Sequence, residues 1–374
     1  METRSLTIDF DNINTSHGDV FFVGGHEFLK ETSFSGQILE NPNGTYETIK
    51  NVSSKVEFII NLRSAKDIAE LPSDYLKFCF CDSNYIGHSY GMAQIFLDKG
   101  ETKKFLNKKG FKTSNGIEVY GDVNFIVKAL KAYNFNFPVL VKEKDNTGGQ
   151  GIFVAKNNED ILNMELELNK IYLLEEFIDG DEYSCNAFVN GNQIIIFPPI
   201  CKGKTEISED GLSIIHPLAR TRTTILNEDI NLDIRFLMKE IGKMDGVNGF
   251  IDLDFIFDKK DNILKIIEVN PRTSGATHIS MFSADFDINK LIYFITNNDS
   301  NLVTSLERKK ILIEYPIIHD NPDFKEQILD ITGGKVIRSS CLRKFPPYIQ
   351  KFLIEFKDKK SYEMFMNNSK QNDL

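Results

Sequence analysis

The sequence lacks the features that mark membrane-spanning, secreted and broadly nucleic-acid-binding proteins. Its longest apolar run, near residues 194–200, contains two prolines and is too short to cross a bilayer. The first residues, Met-Glu-Thr-Arg-Ser, do not show the basic and then apolar order of a secretion signal. A formal net charge of −10 argues against a general nucleic-acid-binding surface. We therefore expect a cytoplasmic protein that has neither a membrane nor a nucleic acid as its partner.

Cysteine is also scarce, because the chain of 374 residues contains five. Their odd number and scattered positions argue against a disulfide framework. Cys79 and Cys81 share one face of an apolar, strand-like run, but no second pair accompanies them to complete a metal site. We interpret the cysteines as buried reduced thiols, which agrees with a cytoplasmic location.

The first 95 residues lack the three-glycine fingerprint of a dinucleotide-binding site. Strand-like runs at 19–23, 56–60 and 76–81, with a helical pattern at 64–70, predict a small α/β domain there. We interpret this domain as a scaffold that closes over a ligand. The total length leaves room for two or three domains.

The stretch Phe250–Gly275 predicts a β-hairpin whose polar turn covers residues 258–262. Because side chains alternate along a strand, Asp252 and Asp254 fall on one face of the first strand. Pairing about the turn places Asp254 within one residue of Glu268, and Asn270 lies on the same face of the second strand. The hairpin therefore gathers oxygen-donor side chains on one face.

Such a cluster favours a hard divalent cation, because Mg²⁺ takes oxygen ligands and leaves positions for substrate phosphates. The alternative is a surface hairpin whose carboxylates are in water. The segment Asn270-Pro-Arg272 follows directly, and an arginine can make a planar two-pronged contact to phosphate or carboxylate. The ligand set is expected to be Asp254, Glu268 and Asn270, with Asp252 as the alternative to Asp254.

Two lysine-containing motifs lie upstream of the hairpin. Between residues 86 and 114 a turn and an amphipathic helix are expected, with Lys99 in an Asp-Lys-x-x-x-Lys motif. The second motif is a predicted strand that ends at Lys142. A glycine-rich loop follows it and leads to a further strand from Ile152. Glycines let backbone N–H groups approach an anion closely. The loop glycines assigned to this role are Gly148, Gly149 and Gly151. A solvated lysine face and a merely flexible turn are the alternatives.

The run 171–178 predicts a buried strand that ends in Glu175-Glu176-Phe177-Ile178. Such a strand end offers an acceptor, a backbone donor–acceptor pair and an apolar slot, which together suit an adenine ring. Period-two alternation lets only one of the two glutamates face inward, and we favour Glu175.

Residue periodicity predicts the remaining elements. An Asn-Gly turn at 190–191 predicts a further hairpin, and residues 278–295 are expected to be mostly helical. The apolar spacing predicts a helix over 229–243 with four inward residues: Ile234, Leu237, Met238 and Ile241. A C-terminal α+β lobe is expected from strands at 310–318, 336–341 and 350–357 and helices at 323–331 and 361–367.

Four motifs follow one another along the chain: the helix with Lys99, the glycine-rich loop after Lys142, the strand end at Glu175-Glu176-Phe177-Ile178 and the hairpin with Asn270-Pro-Arg272. Taken together and in this order, they resemble an ATP-grasp ligase. The Glu-Val-Asn-Pro-Arg ending is similar to the ATP-grasp domains of carbamoyl-phosphate synthetase and biotin carboxylase, more than to D-alanine–D-alanine ligase. The resemblance implies an α/β (α+β) chain with three parts: an N-terminal pre-ATP-grasp α/β domain at 1–95, an ATP-grasp domain at 96–300 with a lid at about 133–175, and the α+β lobe at 301–374.

The resemblance also implies roles for individual residues. Lys99 and Lys142 would hold the phosphates of ATP, and Glu182 would take the ribose hydroxyls. The adenine-binding residues would be Glu175, Phe177 and Ile178. The metal would be Mg²⁺, with Mn²⁺ as an alternative, and Arg272 and Arg220 would be catalytic. The sequence leaves open which of four basic residues contacts substrate: Lys202, Lys204, Arg220 or Arg222.

The expected function is that of a stand-alone ligase that joins a small-molecule carboxylate to an amine through an acylphosphate and releases ADP. A phosphotransferase and a non-catalytic ATP-binding module are the alternatives. A homodimer is compatible with the sequence, which does not identify the two substrates.

Overall fold

The computed structural model describes the backbone of three short strands before residue 85 and most of the chain from residue 85 onward. The described ranges are 85–144, 151–208, 211, 213–214, 220–296, 302–317, 333–342 and 349–371. Several predictions lie outside the described residues, namely the helices at 64–70 and 323–331, the strand at 76–81, and Gly148 and Gly149.

The N-terminal part contains a four-stranded parallel sheet with the order β2-β1-β3-β4. Its strands are β1 (Val20–Val23), β2 (Gln37–Leu39), β3 (Phe58–Asn61) and β4 (Tyr85–Ile86). The strands expected at 19–23 and 56–60 are confirmed, whereas β2 and β4 were not predicted because they are two or three residues long. Parallel pairing agrees with the predicted α/β class.

Two short helices follow where the sequence predicted one, so that prediction was wrong. Helix α1 spans Tyr90–Leu97 and helix α2 spans Lys99–Lys108. The break lies at Asp98, whose extended backbone and side chain cap α2 by accepting hydrogen bonds from the N–H groups of Gly100 (2.8 Å) and Glu101 (3.0 Å). As a result, Lys99 is the first residue of α2 and Lys103 lies one turn later on the same face.

A small antiparallel sheet with the order β5-β8-β6-β7 forms the next unit. Its strands are β5 (Gly116–Tyr120), β6 (Val139–Glu143), β7 (Ile152–Ala155) and β8 (Ile171–Glu176). Helices α3 (Val123–Ala132) and α4 (Asn158–Leu162) supply Ile126, Leu130 and Ile161 to its buried core. The strands expected to end near Lys142 and to begin at Ile152 are confirmed.

Ten of the described strands form one large sheet. Its main path is β14-β13-β9-β11-β12-β16-β18-β17; off this path, β10 pairs with β9 and β15 pairs with β10. The strands are β9 (Gly180–Asn190), β10 (Gln193–Ile196), β11 (Ile200–Lys204), β12 (Arg222–Thr223), β13 (Gly249–Asp258), β14 (Ile263–Asn270), β15 (Val303–Ser305), β16 (Ile311–Ile317), β17 (Lys335–Leu342) and β18 (Ile349–Phe356). The helices associated with it are α5 (Glu228–Gly242), α6 (Thr277–Ser283), α7 (Ile288–Thr296) and α8 (Lys359–Gln371).

The C-terminal strands continue this sheet, because β12 pairs with β11 on one side and with β16 on the other. The α+β composition expected after residue 301 is therefore present, but its strands share a sheet with the preceding residues. The domain limits at 95 and 301 stay predictions.

Alternation along β13 divides its residues between the two faces of the sheet. Ile251, Leu253 and Phe255 pack with α1 and α5, whereas Phe250 packs against α6 and α7. Each fully buried side chain of this kind stabilises the fold by roughly 1.5–3 kcal/mol. The polar residues Asp252 and Asp254 share the Phe250 face, so their positions are fixed by the packing of their apolar neighbours.

The remaining predicted elements are close to those in the structure. Helix α5 buries Ile234, Met238 and Ile241, and Leu237 is half-buried. The predicted hairpin joins β9 to β10, with Gly191 at φ +60° in its turn. Residues 278–295 are mostly helical, as predicted, and contain α6 and α7. No helix in the described part of the chain has the length and apolarity needed to cross a membrane.

Candidate active site

The β13–β14 hairpin has the register that the sequence predicted. Asp254 is the cross-strand partner of Glu268 and Asp252 is the partner of Asn270, with a bulge after Asp254. Asp252 is 2% exposed and Asp254 is 7% exposed, and β9 pairs with the other edge of β13, so that β13 lies inside the sheet. The alternative of a hairpin with both of these carboxylates in water is therefore wrong.

Asp252 is held by its neighbours in the sheet. Its carboxylate accepts hydrogen bonds from Ser184 Oγ at 2.5 Å and from Asn270 Nδ2 at 3.3 Å. Burial raises the pKa of Asp252 well above its ordinary value, and the nearby Asp254 carboxylate raises it further. With Asn270 turned toward it, Asp252 fits a supporting role beside a metal ligand.

Asp254 is the better candidate for direct metal binding. Its Oδ2 accepts a hydrogen bond from Lys202 Nζ at 2.7 Å, whereas its Oδ1 is buried without a hydrogen-bond partner in the described structure. A buried carboxylate oxygen without a partner is costly unless a cation or donor reaches it. Glu268, directly opposite, keeps 30% of its side chain exposed and lies 3.9 Å from Lys99 Nζ.

These residues fit Mg²⁺ better than a closed metal cage. Within the described ranges, no group of three His, Cys, Asp or Glu side chains is arranged to hold a metal ion. Mg²⁺ is usually bound through one or two carboxylates together with substrate phosphates. Asp254 and Glu268 provide two carboxylates beside a cavity, which matches that mode of binding.

The two lysines predicted to bind phosphate, Lys99 and Lys142, line the same cavity as Asp254 and Glu268. Lys99 Nζ donates to the carbonyl oxygen of Lys144 at 3.2 Å and lies near Glu268. Lys142 Nζ lies 2.5 Å from Glu175 Oε2. Gly151 adopts φ +64°, which favours glycine, and its carbonyl oxygen accepts a hydrogen bond from Glu143 N at 2.9 Å.

Glu175 is the inward member of the glutamate pair, as predicted. Its carboxylate is in contact with Lys103 and Lys142 and accepts a hydrogen bond from Ser114 Oγ at 3.0 Å. Burial alone would raise the pKa of Glu175, but the two lysines outweigh burial and lower its pKa to about 2. Glu175 is therefore ionised at neutral pH.

Glu176 points toward the β13–β14 hairpin. It accepts hydrogen bonds from Asn115 N at 2.9 Å and from Lys265 Nζ at 3.0 Å. Lys265 also lies 2.7 Å from Asp258 and 3.2 Å from Asp261. Lys265 thus ties the end of β8 to the turn of the hairpin.

Phe177 and Ile178 lie in the three-residue link between β8 and β9, and both line the cavity. Glu182 follows in β9, where it accepts hydrogen bonds from Thr205 Oγ1 and pairs with Arg220 Nη1 at 2.9 Å. Burial opposes ionisation of Glu182, but the charges of Arg220 and Lys202 lower its pKa.

One cavity brings together most of the predicted site residues. Nine of them line it: Lys99, Lys142, Glu175, Phe177, Ile178, Glu182, Arg220, Asp254 and Glu268. Gly151, Asn270 and Arg272 are outside this lining, and Arg272 Nη1 donates to the carbonyl oxygen of Thr273 at 3.0 Å. The cavity lies between the small antiparallel sheet, α2 and the β13–β14 hairpin.

The structure separates the four basic residues between which the sequence could not choose. Lys202 and Arg220 line the cavity, and two buried nitrogens of Arg220, Nε and Nη2, have no partner in the described structure. Lys204 is exposed and pairs with Asp179 at 2.9 Å. Arg222 is buried beside the cavity rather than in its lining.

Arg222 belongs to a buried cluster around Glu314. Its Nη1 donates to the carbonyl oxygen of Gly275 at 3.0 Å and lies 3.4 Å from Glu314 Oε1. Lys351 Nζ donates to Glu314 at 2.5 Å, and His278 Nε2 lies 3.3 Å from it. Burial opposes ionisation, but Arg222, His278 and Lys351 keep the pKa of Glu314 below its ordinary value.

Sequence reasoning gave no role to Lys103 or Lys265. Lys103 lines the cavity and contacts Glu175. Its position one helical turn after Lys99 was a usable signal, because both residues lie on one face of α2. Lys265 has local partners in Asp258 and Asp261, but nothing local indicates its contact with Glu176, which is 89 residues away in the sequence.

Several known proteins resemble this chain. A family model described as an ATP-grasp domain matches residues 96–276. Carbamoyl-phosphate synthase from Methanobrevibacter smithii is 31% identical over 190 residues, which are 50% of this chain and 48% of that protein. D-alanine–D-alanine ligase from Carboxydothermus hydrogenoformans is 28% identical over 215 residues, 54% of this chain and 66% of that protein. This chain thus spans about half to two thirds of these relatives.

A solved structure resembles nearly the whole chain. N5-carboxyaminoimidazole synthetase from Staphylococcus aureus, complexed with ADP, has a TM-score of 0.68 and 17% identity. The match covers 96% of this chain and 98% of that one. At this identity the likeness establishes the fold, including the strands before residue 96 and after residue 276.

Proposed function

We propose that the chain is an ATP-dependent ligase that joins a carboxylate to an amine, because residues 96–276 match a family model described as an ATP-grasp domain. It would form an acylphosphate and release ADP and phosphate. The observation that carries the proposal is that three lysines, Lys99, Lys142 and Lys202, line the same cavity as the carboxylates of Asp254 and Glu268. The lysine ammonium groups that would bind a triphosphate and the carboxylate oxygens that would bind its metal ion therefore lie in one cavity.

The nucleotide would extend along this cavity. The apolar part near Phe177 and Ile178 suits the adenine ring, and the buried carboxylate of Glu182 suits the ribose hydroxyls. Lys99 and Lys142 would neutralise the phosphates. Asp254 and Glu268, supported by Asn270, would hold Mg²⁺, which when bound neutralises charge on the phosphate oxygens.

The first chemical step would transfer the γ-phosphoryl group to the acid. A carboxylate oxygen of the substrate forms a bond to the γ-phosphorus while the bond to the leaving ADP oxygen breaks. Lys202 and Arg220 line the cavity near Asp254 and Glu182, so their charges would stabilise the negative oxygens of the transferring group. The positions of these residues are fixed before reaction, since both are buried and paired.

The second step would form the amide. The amine nitrogen bonds to the carbonyl carbon of the acylphosphate, the carbon–oxygen bond to phosphate breaks, and the nitrogen loses a proton. The protein contributes mainly by holding the reactants together and by excluding water. Arg272, which lies beyond Asn270 at the end of β14, is proposed to stabilise the acylphosphate.

The proposal is tested by the dependence of ADP release on both substrates. Purified protein with Mg-ATP is screened against small carboxylic acids and amines, alone and in pairs. A ligase releases ADP when an acid and an amine are both present and yields an amide in equal amount. ADP release with a single acceptor would instead identify a phosphotransferase, and tight ATP binding without turnover would identify a binding module.

Glu268→Gln provides the matching variant. It removes one negative charge from the metal-binding pair, so we expect turnover to fall by roughly 10²-fold or more while the protein stays folded. Glu167→Gln is a suitable control because that side chain is 79% exposed and is not part of the cavity lining. Full activity of Glu268→Gln would remove the metal assignment. The cytoplasmic location and a homodimer stay predictions.

A further inference from the structure

The buried carboxylate of Glu175 lies between Lys103 and Lys142, which differ in the number of hydrogen-bond acceptors around them. Lys103 Nζ contacts three acceptors, namely the carbonyl oxygen of Ser114 at 2.6 Å, Ser114 Oγ at 2.6 Å, and Glu175 Oε1. An ammonium group has three N–H donors. Lys103 therefore uses its full hydrogen-bonding capacity on the protein, and its side chain is buried.

Lys142 approaches Glu175 from the other side. Its Nζ lies 2.5 Å from Glu175 Oε2, and this is its one polar contact among the described residues. Two of its three N–H groups are thus available for a ligand in the cavity that Lys142 lines. The two lysines differ in how much of their bonding capacity the protein already uses.

We propose that Lys103 is the permanent counter-ion of Glu175, and that Lys142 turns from Glu175 to the phosphates when ATP binds. This inference rests on the proposed nucleotide site. Lys103 is then a positioning residue, which acts on the nucleotide through Glu175 and Lys142 without touching it.

The balance of charges explains why the arrangement needs Lys103 in addition to Lys142 and Glu175. Two lysines and one carboxylate leave one positive charge in excess, which a triphosphate can use. With Lys103 absent, the charge of Lys142 would be cancelled by Glu175, and each phosphate contact would have to compete with a buried ion pair. With Lys103 and Ser114 Oγ in place, Glu175 keeps two partners after Lys142 has moved.

The test measures binding of Mg-ATP by titration calorimetry to four proteins: wild type, Lys103→Met, Glu175→Gln and the double variant. Lys103→Met is expected to weaken binding roughly tenfold or more, the loss typical of a charged hydrogen bond. The double variant should bind as Glu175→Gln does, because without the Glu175 charge Lys142 is no longer held. Lys103→Arg keeps the charge and should restore much of the affinity.

Two results would overturn the inference. One is Lys103→Met that binds Mg-ATP as the wild type does. The other is a double variant at least tenfold weaker than Glu175→Gln, because Lys103 would then contact the nucleotide itself. This second comparison holds even if Lys103→Met alone fails to fold, since the double variant contains no stranded carboxylate at position 175. Unfolding temperatures without nucleotide check the fold of each protein.

The binding measurement also separates this inference from the proposed function. A wild type that does not bind Mg-ATP would refute the proposed function. If the wild type binds Mg-ATP but the three variants do not show the affinities expected above, only the role of Lys103 is refuted. If the affinities of the four proteins are as expected but no amide product forms, the role of Lys103 is supported and the ligase reaction is refuted.

Discussion

The substitution Lys265→Met tests whether the contact between the small sheet and the β13–β14 hairpin stabilises the protein and its nucleotide site. Lys265 is buried and lies 2.7 Å from Asp258, 3.0 Å from Glu176 and 3.2 Å from Asp261. Methionine keeps most of the side-chain volume and removes the charge. The variant therefore isolates the ion pairs from the packing.

The three pairs differ in their expected contributions. The Lys265–Asp258 pair is buried on both sides, and breaking such a pair typically costs 3–5 kcal/mol. Asp258 keeps hydrogen bonds from the N–H groups of Lys260 and Asp261, which places the cost at the low end. Glu176 and Asp261 are more exposed, so their pairs add less than about 1 kcal/mol each. We expect a total loss of about 3 kcal/mol.

The matched control is Lys259→Met in the same turn. Lys259 lies 3.2 Å from Asp181, and both side chains are well exposed, so its loss should cost less than about 1 kcal/mol. Urea titration gives the free energy of unfolding of each variant, and ATP-dependent turnover gives the KM for ATP. We expect KM for ATP to rise severalfold for Lys265→Met, because Glu176 precedes the adenine-binding link. Equal losses of stability in the two variants would refute this reasoning.

Two further predictions concern pH and backbone packing. Because the pKa of Glu175 is about 2 against an ordinary 4.5, its ionisation contributes roughly 3 kcal/mol above pH 4.5, and this contribution is lost as the pH falls through about 2. Acid titration of Glu175→Gln should therefore show a shallower fall in stability than the wild type, and parallel curves would contradict this. Gly180→Ala would place a methyl group against the carbonyl oxygen of Phe257 and should destabilise the protein by about 2 kcal/mol or more in urea titration. Gly91→Ala, with open space around it, should leave stability unchanged or raise it by up to about 1 kcal/mol, and similar losses in both glycine variants would contradict the packing argument.

The sequence was sufficient for features that depend on local alternation. The register of Asp254 with Glu268 follows from counting residues across one turn, because a one-residue slip would expose the apolar face of β13. The choice of Glu175 over Glu176 rests on the same alternation. The break between α1 and α2 was missed, although Asp98 with Glu101 three residues later is a typical helix start.

Features that depend on distant partners were not readable. The pairing of Lys265 with Glu176, and of Lys103 with Glu175, requires strands that are far apart in the sequence to be neighbours. Strand β12 is two residues long, which is too short to give a periodic signal, yet it joins the two halves of the large sheet. Arg220 and Arg222 look equivalent in the sequence, and alternation alone puts both on one face. Their different partners separate them.

The cluster around Glu314 has a consequence for chimeric proteins. Glu314 and Lys351 come from residues 301–374, whereas Arg222 and His278 come from the segment that also contains the cavity. A recombinant that exchanged the residues after 301 for those of a relative would leave Arg222 and His278 without Glu314, unless the donor placed a carboxylate at the same position. Conversely, the C-terminal strands moved into another protein would need counterparts of Arg222 and His278 around the buried Glu314.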